Sequence, residues 1–390
     1  MAPAAAVVAA TEGEDTGPRV PPPAGPAGAL LAAALALPGV MPASALAQTA
    51  PDQSLFALKY VDYRDWQPGG DRIHVHSPSL YLLKPLSDSL AAEGSLVYDS
   101  ISGASPLYHN TLSGASGKGG VTDYRTAGNV KLTKYFEGAA VGAGAAISSE
   151  RDYLSRALSL DVRVSSDDRN RTYAFGVGGA SDDINSTNGV AEGKHRRTVD
   201  LLLGVTQALS PEAIVQSNLT WSVGHGYYSD PYKTLDTRPD GRRILAWLTR
   251  YNQHLLQSDA TLSLSYRYAR DSFGSDSHTV EAAWHQPLAD GWSIKPGLRY
   301  YTQAAADFYF DPPFPQGFSF GEPYTADTRL SAFGALNPGV TVAKLLPGGW
   351  QVDVKVEFYR QRSDWRPGGG SPGLEPLSAR WIQTGVSKTF

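Results

Sequence analysis

The chain contains no cysteine. That excludes disulfides, thiol catalysis and cysteine-ligated metals, and it suits a protein that crosses an oxidising compartment unfolded. Beyond position 50 it also lacks any stretch of about 18 apolar residues, which excludes crossing a membrane with helices. No charge excess stands out. The net charge of −4 is too close to balance to suggest a nucleic-acid surface, and the mean hydropathy of −0.27 resembles that of a soluble protein. What is abundant points elsewhere. Forty glycines, 20 tyrosines and 8 tryptophans suit tightly turning strands with aromatic residues at a membrane interface.

The N-terminus reads as an export signal. Ala27 to Leu37 is an apolar run long enough for a signal core and too short for a span. Ala45-Leu46-Ala47 offers a small-x-small cleavage site, so residues 1–47 are expected to be leader, with the mature chain, 48–390, starting at Gln48. Residues 1–26 are rich in Pro and Ala and carry Glu12, Glu14 and Asp15. A signal n-region is short and basic, which favours an initiation site further in over a long leader.

From Leu55 onward, segments of about 10 to 14 residues alternate apolar and polar side chains, the length that crosses an outer membrane when tilted. In Trp350 to Phe358, Trp350, Val352, Val354, Val356 and Phe358 face one way, and Gln351, Asp353, Lys355 and Glu357 the other. Segments 260–271 and 292–301 repeat the pattern. No helix or second apolar layer is in prospect to cover the apolar face, so that face is expected to meet lipid. Short turns near 87–89, 137–138, 166–169, 210–212, 257–259, 289–291 and 347–349 alternate with loops near 66–72, 102–122, 182–195, 226–242, 304–325 and 362–379, and with briefer ones near 149–153 and 271–276. This inequality of the two ends marks a transmembrane barrel. The prediction is an all-β, up-and-down antiparallel barrel of about sixteen strands in the outer membrane. The terminal Phe390 would close it and serve as the signal for the assembly machinery. The apolar parity shifts after Pro78, so a bulge or kink is expected there.

The parity assigns Glu93, Asp99, Arg125, Lys131, Asp161, Arg163, Asp200, Arg267, Glu281, His285, Lys295, Arg299, Asp353, Lys355 and Glu357 to the lumen. Without the histidine these are seven acids and seven bases. A strongly selective pore would favour one sign. Two readings stay open: a polar channel with a crossed-charge constriction, and an ion-pair network that fills a closed lumen. His74 and His76 share a strand face, expected to be the inner one. With His109 of the next long loop they could ligate a metal, against a plainer role as hydrogen-bonded lumen residues. His76-Ser77 invites a hydrolase reading, but neighbours on a strand face opposite ways and a nucleophilic serine needs its base within reach. The loop from Asp307 to Tyr324 is unusually aromatic, with Phe308, Tyr309, Phe310, Phe314, Phe318 and Phe320. It is expected to cap the mouth and join the interfacial girdle, or else to present a sticky surface to a partner. Tyr227, Tyr228 and Tyr232 would pack beside it. Trp221, Trp284, Trp292, Trp350 and Trp381 are read as interface anchors, and the pairs Asp167-Asp168 and Asp182-Asp183 as solvated acidic turns rather than calcium sites.

The segments Asp71-Arg72-Ile73-His74-Val75-His76-Ser77-Pro78-Ser79, Ser102-Gly103-Ala104-Ser105-Pro106, Arg156-Ala157-Leu158-Ser159-Leu160, Gly226 to Lys233, Tyr268 to Gly274 and Ala304 to Asp311 resemble a family of bacterial outer-membrane proteins named domain of unknown function 3570. The resemblance covers nearly the whole mature chain. It implies an outer-membrane barrel and a periplasmic or lipoprotein redox partner, and it brings no activity, substrate or catalytic set. The expectation is therefore a non-enzymatic conduit for a small polar solute or metal ion, without a cofactor. The alternatives are a scaffold with a redox partner in its lumen and an outer-membrane hydrolase. Outer-membrane lipid and the barrel-assembly machinery are the expected partners, with no nucleic acid.

Overall fold

The computed structural model describes residues 49–103, 121–233, 236–311 and 322–390. The predicted leader and the proposed mature start at Gln48 lie outside them.

Sixteen strands close into one barrel. The first eight are β1 (Leu55–Gln67), β2 (Gly70–Ser87), β3 (Leu90–Gly103), β4 (Val121–Phe136), β5 (Ala139–Ser149), β6 (Tyr153–Ser165), β7 (Arg171–Ile184) and β8 (Lys194–Ser210). The second eight are β9 (Ala213–Gly226), β10 (Gly241–Leu255), β11 (Ala260–Asp271), β12 (Asp276–Pro287), β13 (Trp292–Gln303), β14 (Phe333–Leu346), β15 (Trp350–Arg362) and β16 (Leu377–Thr389). Every strand pairs antiparallel with its sequence neighbour. β1 closes on β16, in register from Leu55 opposite Thr389 to Trp66 opposite Ser378. The backbone groups of Ser54 and Phe390 extend this seam by exchanging two hydrogen bonds. Closure leaves no strand edge, which a lipid medium requires because it offers no partner to an open N–H or C=O.

Alternation separates the two faces. Leu58, Leu96, Val130, Leu158, Leu160, Phe175, Leu201, Trp247, Val280, Leu298, Val354 and Phe358 all point out and are exposed. Between them, Asp99, Arg125, Lys131, Asp161, Asp200, Lys355 and Glu357 point in and are buried. The exposed apolar set runs around the whole wall, far beyond the patch a soluble monomer carries. Lys388 interrupts it beside the terminal Phe390. Its ammonium lies over the Trp350 ring at 5.0 Å and 5.9 Å from the Phe390 ring, so the charge is held against aromatic faces rather than in hydrocarbon.

Two local expectations are corrected. The connection predicted as a long loop at 66–72 is a turn of Pro68 and Gly69 between Gln67 and Gly70. It depends on Gly69 and Gly70, with φ of 126° and 149°, which an L side chain would resist. Pro78 causes no bulge. Its pairing with Tyr60 is in register, and on the β3 side the ladder skips Ser77 and Pro78 and resumes without a shift. The register shift of the β1–β2 hairpin lies instead between Arg64 and Trp66.

Candidate functional site

All fourteen charged residues assigned to the lumen stand on the inner face, as does His285. Many of them join in ion pairs along the wall. Arg125 binds Asp99 at 2.6 Å between β4 and β3, and Arg299 binds Glu281 at 2.8 Å between β13 and β12. Lys131 of β4 reaches Asp161 of β6 at 2.7 Å, across the intervening β5. This bridge needs the small residues of β5. A Cβ on Gly142 would collide with the Asp161 carboxylate and sit 2.6 Å from Lys131 Cε. Arg163 stands 3.9 Å from the same carboxylate, and Glu93, opposite Lys131, accepts from Tyr81 at 2.9 Å. Glu357 gathers Lys355 at 3.3 Å, Asn337 at 3.1 Å and the Trp381 indole N–H. Asp353 lies over Gly385. Asp200, opposite Ser222, makes no salt bridge among the described residues. Glu281, Lys295, Arg299, Lys355 and Glu357 converge on a hollow of about 20 Å³, room for one water. Arg267 is on the same face of β11, opposite Thr279.

The histidines predicted to face the lumen face the opposite way. Val75 and Ser77 take the inner positions and are buried, so His74 and His76 point outward. There they meet Asp62, which sequence spacing did not connect with them. His74 Nε2 lies 2.7 Å and His76 Nδ1 3.5 Å from Asp62 Oδ2. Arg64 Nε is 3.5 Å from the other carboxylate oxygen, and the Tyr60 hydroxyl is 2.6 Å from His76 Nδ1. Below them an apolar groove runs down the outer wall, lined by Leu58, Tyr60, Pro78, Leu80, Leu96 and Tyr98. His109 lies outside the described residues. The inward turn of Ser77 also removes the His76-Ser77 pair from hydrolytic chemistry. The letters of a nucleophile elbow, Gly317-Phe318-Ser319-Phe320-Gly321, occur in the aromatic loop outside the described residues. That motif draws its meaning from a strand–turn–helix context, and no α-helix occurs among the described residues.

The outer loops between β9 and β10 and between β13 and β14 lock together through charge. Asp327, fully buried, accepts from Arg238 at 2.7 Å, pairs with Arg329, and has Lys233 at 3.7 Å. Arg329 also reaches Asp230 at 2.7 Å, and Arg238 binds Asp236. Burial alone would raise the Asp327 pKa, but Arg329, Lys233 and Arg238 outweigh it and hold the carboxyl well below the usual range. Asp230 is likewise lowered against its burial, by Arg329 and Lys233. In Asp236 burial wins and the pKa rises. Beside this network Phe308 packs edge-on against Phe273 at 5.0 Å, and Tyr228 meets the same ring at 5.9 Å. Tyr309 joins that cluster and Phe310 faces Tyr324. Phe314, Phe318 and Phe320 lie outside the described residues.

Two further expectations are corrected. Trp381 is no interface anchor: it points inward, fully buried among Tyr63, Tyr301, Phe333 and Tyr359. Trp292 and Trp350 are exposed on the outer face at strand starts, and Trp221 is exposed within β9. Asp182 and Asp183 belong to β7 rather than to a loop, with Asp182 paired to Arg196 at 2.7 Å and Asp183 to Arg156 at 2.8 Å.

A fold with charged pairs inside and an apolar band outside defines a membrane-type β-barrel. The chain belongs to the family of proteins of unknown function DUF3570, whose model matches residues 27–375. No curated protein matches the sequence significantly. Among solved structures, a bacterial polysaccharide outer membrane secretin is similar at 8% identity and a TM-score of 0.51, over 86% of this chain and 98% of that one. CdiB from Acinetobacter baumannii is 9% identical with a TM-score of 0.49, over 86% of this chain and 60% of CdiB. OccK11 from Pseudomonas aeruginosa is 9% identical with a TM-score of 0.43, over 87% and 96%. At such identities the likeness to the secretin speaks for the fold.

Proposed function

We propose that the chain is an outer-membrane β-barrel whose lumen serves as a passive conduit for a small polar solute or metal ion. The observation that carries this reading is the division of the wall: exposed apolar side chains all round the outside, and paired charges of both signs held along the inside. A wall that intersperses acids and bases along its inner face would pass polar solutes with weak charge preference. In this reading residues 1–47 are an export leader, Phe390 is read by the assembly machinery, and lipid is the constant partner. No catalytic group is required.

A second reading is favoured by one feature. Toward the outer end, between β13 and β2, the inner wall is aromatic rather than charged, with Tyr63, Tyr301, Phe333, Tyr359 and Trp381. These side chains pack against one another and against Leu374 and so fill this part of the lumen, an arrangement that suits a scaffold holding a periplasmic or lipoprotein redox subunit in the space left below them.

A planar-bilayer recording of the purified barrel separates the two. Steady conductance with little preference between cations and anions is the outcome expected of a conduit. A silent barrel that co-purifies with a small envelope protein supports the scaffold and overturns the conduit.

A further inference from the structure

Two imidazoles and a carboxylate converge on the outside of the barrel, where a polar cluster is unexpected. We propose that Asp62, His74 and His76 form a binding site for a divalent transition-metal ion of the zinc class, on the outer wall and independent of the lumen.

The backbone prepares the site. His74 and His76 are two apart on β2, so they share a face, and Asp62 stands opposite His76 in the β1–β2 ladder. One ligand atom from each residue falls within 4.8 Å of the others. The imidazole centroids are 4.1 Å apart. Tetrahedral zinc with nitrogen and oxygen ligands at about 2.0–2.1 Å sets neighbouring donors roughly 3.3 Å apart. The separations of 2.7 and 3.5 Å from the Asp62 oxygen to the two imidazoles bracket that value. A hairpin closed by a two-residue turn limits the reorganisation needed to small side-chain rotations.

The site is already built for positive charge. Arg64 presses on it, 3.5 Å from the carboxylate and 3.3 Å from His74 Nε2. Its side chain is 47% exposed, so it can swing into solvent when an ion takes its place. Tyr60, now bonded to His76 Nδ1 at 2.6 Å, would give up that bond and leave its oxygen beside the ion. Three protein ligands leave the remaining position facing outward. The height is suitable too. Strand rise and a tilt of about 40° put Asp62 roughly 20 Å above Trp350, near the top of an apolar band about 25 Å tall. An ion can arrive there from the aqueous side without entering hydrocarbon.

Another histidine on this wall supplies the control. His278 also bonds a tyrosine, Tyr266, at 2.8 Å, but no histidine–carboxylate group of three forms around it among the described residues.

The test uses the full chain, untagged and folded in detergent, titrated with Zn²⁺ by calorimetry and with Co²⁺ by visible absorption. One ion per barrel is expected, with cobalt bands typical of nitrogen and oxygen ligation. His76→Gln, His74→Gln and Asp62→Asn should each weaken binding by about tenfold or more. His278→Gln should leave binding unchanged, and Arg64→Gln should tighten it. Each variant must keep the heat-dependent gel shift of a folded barrel. Absence of binding at millimolar zinc, or unchanged stoichiometry and affinity in a folded His74→Gln/His76→Gln double variant, would overturn the proposal.

Discussion

Below and above Tyr60, the wall formed by β16, β1 and β2 is made from the same strands and reads as its own inverse. Below, Leu58, Leu80 and Val386 face out while Lys59 faces in. Above, Asp62, Arg64, His74, His76 and Arg380 face out and Val61, Tyr63, Val75 and Trp381 pack inside, whereas on the same rungs of β15 Lys355 and Glu357 still face in and Phe358 faces out. No strand slips between the two zones; the Asp62–His76 pair continues the register of Leu58 and Leu80. What changes is the polarity of the outer face, as expected of a wall that rises out of hydrocarbon into headgroups and water. Phase of polarity and phase of the backbone are therefore separate quantities in a barrel that rises beyond its bilayer.

Substitutions can test that inversion at each height. The largest effect is expected at Trp381, the centre of the upper inner cluster. Trp381→Ala should cost about 3–5 kcal/mol through the cavity it leaves, seen as a lower midpoint in denaturant unfolding. A loss no larger than that of Trp350→Ala, on the outer face, would dissolve the distinction between the zones. Next is Leu58→Arg, which places a charge near the middle of the apolar band and should cost about 2–4 kcal/mol. Its mirror, Arg64→Leu, should stay within about 0.5 kcal/mol, because both media at that height accept either residue. Equal costs for the two would mean that lipid reaches higher than the aromatic residues indicate. The smallest effect is expected of Lys388→Ala at the lower rim, where loss of the contact with the Trp350 ring should cost about 0.5–1 kcal/mol.

The same inversion explains what could be read from the chain and what could not. Sixteen strands, their antiparallel order and the lumen side of residues such as Lys131 and Glu357 follow from period-two alternation, which a wall apolar outside and polar inside imposes on its sequence. The parity change at Pro78 was visible as well. Its cause was not: Val75 turns inward to an aromatic cluster whose members lie on β1, β13, β14, β15 and β16, contacts that no local pattern encodes. Asp62 joins His76 only through hairpin register, and a two-residue turn where a loop was expected concealed that register. The ion cluster around Asp327 was invisible for a related reason. Arg238 is 89 residues from Asp327 and Asp230 is 99 residues from Arg329, brought together by loops whose conformation no alternation dictates.

Trp381 also gives the protein an optical asymmetry. Of the eight tryptophans it is the one the wall buries, and Trp221, Trp247, Trp292 and Trp350 stand open on the outer face. Brominated lipid would quench the outward indoles by contact and spare the inner one. In a variant with Trp66 and Trp365, which stand at the upper end, replaced by Phe, the emission that survives would come largely from Trp381 and would report the inside of the barrel without any added label.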